Sequence, residues 1–257
     1  MTDDYGIWLY AVTGRADPAG LGRLPGVAGE PVRRVEAAGL TAVVGDVPLD
    51  AFGEEALHRN LEDLDWLAGV ARAHDAVVAT VPAGGPVVPV RLATVYRDDD
   101  SVRAMLERRA ADFHRALERV TGRTEWGVKL FAAEPTDEPA TADAGPSRRG
   151  AGTAYLARRR AVLAWRERQD ERAAEQAEKV HQRLFSLAAA GRAHPPQSRA
   201  LAEDNGRMIR NLAYLVDDAS GTAFAEAVAA CDRENDAISV QLTGPWPPYS
   251  FAAMEFQ

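Results

Sequence analysis

The sequence predicts a mixed α+β chain of two domains, and three observations lead there. Along its 257 residues, apolar positions recur in some segments with period two and in others at intervals of three and four, so strands and helices both form, over a length that suits two ordinary domains. From Trp126 onward the order is strand, long helix, strand, strand, helix, strand, the βαββαβ or ferredoxin-like arrangement with helices on one face of an antiparallel sheet. Gly122-Arg-Thr stops a helix just before that series. Residues 1–122 therefore read as an N-terminal α+β domain whose less regular order names no fold. Residues 123–257 read as a ferredoxin-like α+β domain with a long first helix, a disordered loop at about 134–152 and an extended Pro/aromatic C-terminal tail (244–257).

Tyr5 to Thr13 is rich in aromatic and branched residues and ends at Gly14, as a buried strand does. Gly20-Leu-Gly-Arg-Leu-Pro-Gly26 has the wrong spacing for a phosphate-binding glycine loop, holds Pro25, and leads into strand-like Pro31 to Val35 rather than a helix. It is a plain loop. Gly39 to Gly45 supplies the next strand, in a hairpin with Val32 to Val35. From Glu54 to Ala73, Leu57, Leu61, Leu64, Leu67, Val70 and Ala71 mark one amphipathic helix whose acidic side faces water. His58 and His74 are too far apart for a metal pair on one face.

Ala76 to Val81 reads as a short strand, followed by a turn at Pro82 to Pro86 and an extended segment from Val87 to Val95 in which Pro89 favours a sheet edge. Asp98-Asp-Asp-Ser101 caps a helix that runs to Val120, where acids suit the N-terminal dipole and no Mg²⁺ need be invoked. Glu125 to Ala133 is a strand with Trp126, Val128, Leu130 and Ala132 on one face. Glu134 to Gly152 has almost nothing to bury. Thr153 to Ala190 reads as a single helix of roughly 55 Å, apolar at both ends and charged from Arg166 to Glu178. Two strands, Arg199 to Glu203 and Arg210 to Val216, flank Asp204-Asn-Gly206, and Ala219 to Asn235 is a helix with Phe224, Val228 and Cys231 on a face.

A net charge of −8 argues against binding nucleic acid through phosphate attraction. The single cysteine, Cys231, excludes an internal disulfide framework and a cysteine zinc cluster. No apolar run reaches the roughly 20 residues a bilayer span needs, and Met-Thr-Asp-Asp-Tyr lacks the form of a signal peptide, so a cytoplasmic protein with no lipid-membrane partner is expected. No H-E-x-x-H, P-loop, G-x-S-x-G or Cys/His cluster is present, and the five histidines are scattered. Neither catalytic residues, nor a cofactor, nor a metal site is expected.

The stretch Ile238 to Phe251 carries most of the functional information. Ile238, Val240 and Leu242 alternate with polar residues as a strand, Gly244-Pro245 breaks it, and Pro247-Pro248 holds an extended path bearing Trp246, Tyr249 and Phe251. Two readings stand: the aromatics pack back on their own domain, or they dock a partner. Leu-Thr-Gly-Pro-Trp-Pro-Pro-Tyr-Ser-Phe resembles the C-terminal signature of the gas vesicle accessory proteins of the GvpF/GvpL family. The Ala-Val-Val strand before Gly45, Glu125-Trp-Gly-Val-Lys and Gly152-x-x-Tyr-Leu are similar to that family in the same order; Leu92-Ala-Thr departs from its Phe-Gly-Thr. The resemblance implies an accessory or minor structural protein located in the cytoplasm and at the gas vesicle. It would bind the hydrophobic major shell protein, and other gas vesicle accessory proteins, to assist assembly, with Trp246, Tyr249 and Phe251 as contact candidates. The alternative is a small-molecule-binding sensor or enzyme on the ferredoxin-like domain, since fold alone does not decide function; a deep pocket with converging polar groups would favour it.

Overall fold

The structure is a computed structural model that describes residues 4–14, 25–81, 85–133, 151–196 and 206–252, with side chains of 151–154 left aside. Helix and sheet are mixed throughout. The chain forms two compact units, Met1–Glu125 with Pro245–Gln257, and Trp126–Gly244. The tail expected in the C-terminal domain thus belongs to the first unit.

In the first unit, strands β1 (Tyr5–Gly14), β2 (Arg33–Ala37), β3 (Leu40–Pro48) and β4 (Val87–Pro89) lie in the order β2-β3-β1-β4, and β5 (Val95–Tyr96) also pairs with β1. The β2–β3 hairpin turns at Ala38 and Gly39, both at positive φ (52° and 74°), the two-residue turn whose twist matches its strands. Pro89 sits on an edge strand, where its missing N–H costs nothing. Every residue from Gly6 to Thr13 is buried: β1 lies inside the sheet, with strands on both sides of it, and helices of the unit pack against it.

The helices of this unit are α1 (Leu49–Phe52), α2 (Glu54–Asn60), α3 (Leu64–Thr80), α4 (Asp99–Arg108) and α5 (Ala110–Val120), of which α1, α3 and α5 lie against β1. The expected single helix over Glu54 to Ala73 is two, because the Asp63 carboxylate accepts from the backbone N–H groups of Asp65 and Trp66 and starts a new helix. The expected strand at Ala76 to Val81 is the end of α3: Val70, His74, Val77 and Val78 are buried at helical spacing, a run too short to separate from a strand by pattern alone. The helix expected from Asp98 to Val120 breaks at Arg109, whose φ of −113° leaves the helical region. Asp98 caps α4 as expected, accepting from the Ser101 backbone N–H at 2.8 Å and its hydroxyl at 2.6 Å, which hold its carboxyl below the usual range.

Arg33 ties layers of this unit together. Its guanidinium meets Asp46 on β3 at 2.5 Å and Asp99 in the first turn of α4 at 2.8 Å, and both bonds hold its charge more firmly than usual. Glu30 does the same for the turn before β2, accepting from the Tyr10 hydroxyl and the Ala28 N–H while lying against Gly26 and Gly45. A Cβ on Gly45 would stand 2.1 Å from the Glu30 Oε1.

In the second unit, β6 (Arg123–Ala132), β7 (Ala190–His194), β8 (Met208–Asp217) and β9 (Ile238–Trp246) form a sheet in the order β7-β8-β6-β9, with α6 (Ala151–Phe185) connecting β6 to β7 and α7 (Gly221–Glu234) connecting β8 to β9. The core joins Val128 and Leu130 to Ala173, Ala177, Val180 and Leu184 of α6, and to Phe224, Val228 and Cys231 of α7. The strand expected at Arg199 to Glu203, the loop at 134–150 and most of the glycine-rich loop lie outside the described residues. On the side away from β6, β8 pairs with β7, from Ala190↔Leu215 to His194↔Asn211, in a segment expected to end the long helix or follow it. Ala-Gly-Arg-Ala-His has neither alternation nor β-branched residues, so its strand comes from the pairing.

Candidate functional site

The chain leaves the second unit at Gly244, whose φ of 113° is reserved for glycine. The strand nevertheless continues through Pro245 to Trp246, past the expected break, because a proline at a sheet edge removes no needed donor. After Pro247-Pro248 the chain does not stay extended. Residues Tyr249–Ala252 wind into one helical turn, α8, in which the Pro248 carbonyl accepts from the N–H groups of Phe251 and Ala252. Proline ahead of a first turn is pre-set for that shape.

Tyr249, Ser250 and Phe251 of this turn are tied to the rest of the first unit. The Tyr249 hydroxyl donates to Asp75 at 2.7 Å, and burial first, then that carboxylate, push its phenol up. Its ring packs against the cluster built on Trp8, Phe52 and Val77. The Ser250 N–H and hydroxyl donate to the two oxygens of the buried Glu125 at 2.7 and 2.6 Å. Phe251 is buried, its carbonyl accepts from Arg119 at 3.5 Å, and α8 lies against α5 and β4. Of the three aromatics singled out from sequence, Tyr249 and Phe251 are thus packed within their own unit, while Trp246 is 53 % exposed.

A second outward-facing feature has no counterpart among those candidates. The C-terminal half of α6 is packed by residues 173 to 184 and held by ion pairs Arg172–Asp236, Arg183–Glu234, Arg207–Asp170 and Arg210–Glu178. The N-terminal half keeps Tyr155, Leu156 and Leu163 exposed. The sequence signal was visible, since apolar residues at both ends of a helix with a charged middle cannot all face one small sheet.

The buried titratable groups serve packing. His74 accepts from Trp8 Nε1–H through Nδ1 at 3.0 Å, so its proton sits on Nε2, 3.1 Å from the Val90 carbonyl, and burial pushes the imidazole below its ordinary value. Burial raises the Cys231 thiol, which keeps it protonated and unreactive. Among the described residues no group of three His, Cys, Asp or Glu is arranged to hold a metal ion, and no helix is long and apolar enough to cross a membrane.

Comparison with known proteins reaches nearly the whole chain. The family model described as gas vesicle synthesis protein GvpL/GvpF matches residues 6–253. Gas vesicle protein L of a Streptomyces species is 42 % identical, over 99 % of this chain and 95 % of that protein. Gas vesicle protein F of the same strain is 26 % identical over 95 % and 98 %. The crystal structure of GvpF from Anabaena covers 98 % of both chains with a TM-score of 0.67 at 18 % identity, and that from Microcystis aeruginosa covers 97 % of this chain and 99 % of its own with 0.66 at 19 %, likenesses that establish the mixed helix-and-sheet fold. With the family model matched from the first strand to the last helical turn, this chain belongs to the gas vesicle GvpL/GvpF family.

Proposed function

We propose that the protein is a non-enzymatic accessory or minor structural component of the gas vesicle. It binds the hydrophobic major shell protein, and other gas vesicle accessory proteins, in the cytoplasm and at the vesicle, and assists assembly without nucleic acid or a lipid membrane. The observation that carries this is family membership over residues 6–253. Two structural features support it. Trp246 is a large aromatic side chain left in solvent, and it closes β9, which lies at the edge of its sheet. An open edge is a template for an incoming strand, and an aromatic beside it adds apolar area at small entropic cost. On this reading Trp246 touches the shell protein, while Tyr249 and Phe251 anchor the segment that presents it. The second unit's strand order β7-β8-β6-β9, with a helix after its first and third strands, supports a ferredoxin-like reading of that domain.

The test is co-expression of the tagged chain with the major shell protein. The shell protein is expected to co-purify and to stay longer in the soluble fraction, and a Trp246→Ala chain is expected to capture less. Equal shell solubility with and without the chain would reject the proposal.

A further inference from the structure

We infer that a second copy of this chain docks on the N-terminal half of α6, through the acidic segment Glu54 to Asp65 of its neighbour. Between Tyr155 and Arg168 the sequence holds five arginines and one acid, Glu167, in a chain whose net charge is −8. Arg158, Arg159, Arg160 and Arg168 are exposed there, beside Tyr155 at 60 %, Leu156 at 52 % and Leu163 at 56 % exposure. Leu156 and Leu163 are seven residues apart, so they share a face two turns long. Such a helix half buries apolar side chains only when something covers it, and its charge selects an acidic cover.

The chain carries that cover itself. From Glu54 to Asp65 there are five acids and one arginine, Arg59. Glu54, Glu55, Glu62, Asp63 and Asp65 are exposed, and among them stands Leu64, 77 % exposed. The acids lie at and just before the first turns of α2 and α3, where the helix dipole favours them. Each surface therefore joins exposed aliphatic carbon to charge that is predominantly of one sign, and the predominant signs are opposite. Pairing α6 with α6 across a two-fold axis would set the arginines of one copy against those of the other, which costs free energy. A head-to-tail contact brings unlike charges together, and because it leaves one unused face of each kind it extends into a chain or closes as a ring.

Sedimentation velocity of the purified full-length protein tests this over a wide range of concentration, at low salt and at about 1 M salt, where the screening length falls to about 3 Å. Average mass is expected to rise with concentration at low salt and much less at high salt. Arg158→Glu/Arg159→Glu/Arg160→Glu and Glu55→Lys/Glu62→Lys/Asp65→Lys should each weaken self-association by about tenfold or more. An equal mixture of the two should associate again, since unlike charges then meet. Circular dichroism checks that each is folded; where one is not, Leu156→Ser and Leu64→Ser replace it, each expected to weaken association. A wild-type monomer at every concentration overturns the inference, whether or not it then floats with anionic lipid vesicles, as does undiminished association of either variant or no recovery on mixing.

Discussion

Replacing His74 with leucine probes the central polar relay of the first unit's core. The imidazole is 2 % exposed and joins two otherwise buried groups, the Trp8 indole N–H at 3.0 Å and the Val90 carbonyl at 3.1 Å. Leucine fills much of the space but offers neither acceptor nor donor. Leaving the two groups unpaired costs about 4 kcal/mol at mid-range, about 1–3 kcal/mol each, and the extra apolar burial returns about 1–2 kcal/mol, so the net loss should be about 2–3 kcal/mol. Urea titration of the full chain at pH 7.5, followed by tryptophan fluorescence and far-ultraviolet circular dichroism, measures it. A pH series adds a second reading. The folded state lowers the His74 pKa from 6.5, so below that value the unfolded chain takes up a proton that the folded chain resists. The unfolded state then binds more protons, and stability falls as pH falls through and below about 6.5, by at most about 1.4 kcal/mol per pH unit from this group. The leucine variant should lack that contribution. A cost below about 0.5 kcal/mol, or an unchanged pH slope, would refute the relay.

The tail gives a graded series of predictions. Tyr249→Phe, which removes the bond to Asp75, should cost about 1 kcal/mol, and Phe251→Ala about 3 kcal/mol, read from urea midpoints; equal stability of both with wild type would contradict the packing of α8. Asp63→Ala should cost about 1 kcal/mol by unsatisfying the first turn of α3, whereas Asp63→Asn or Asp63→Ser should keep most of the stability. Gly45→Ala should force Glu30 from its seat and break its bond with Tyr10, visible as a lowered melting temperature that Gly45→Ala in a Glu30→Ala background adds little to.

The sequence reading succeeded where local chemistry and tertiary context agreed. Tyr5 to Gly14 is rich in branched and aromatic residues and buried at every position from Gly6 to Thr13, so strand and core coincide. Asp98 to Ser101 is a cap by composition and by hydrogen bond. The face Phe224, Val228, Cys231 was legible from spacing alone. It failed where a short apolar run suited either period, as at Ala76 to Val81, or where pairing imposed a strand on Ala190 to His194 against its propensities. The tail was half legible. Its aromatics and prolines marked it as special, but the ties that hold Tyr249 and Phe251 are to Asp75, Glu125 and Arg119, up to 174 residues away, and no local pattern reports contacts of that separation. The outward half of α6 was readable as a charged and apolar helix, yet which of its ends would pack depends on where β7, β8 and α7 close the second core.

The proposed action on the gas vesicle shell protein is measured by diluting denatured shell protein into buffer with or without the purified chain and following light scattering. Scattering should be delayed in proportion to added chain, and less so with Trp246→Ala. Identical traces with and without the chain would contradict that proposed action.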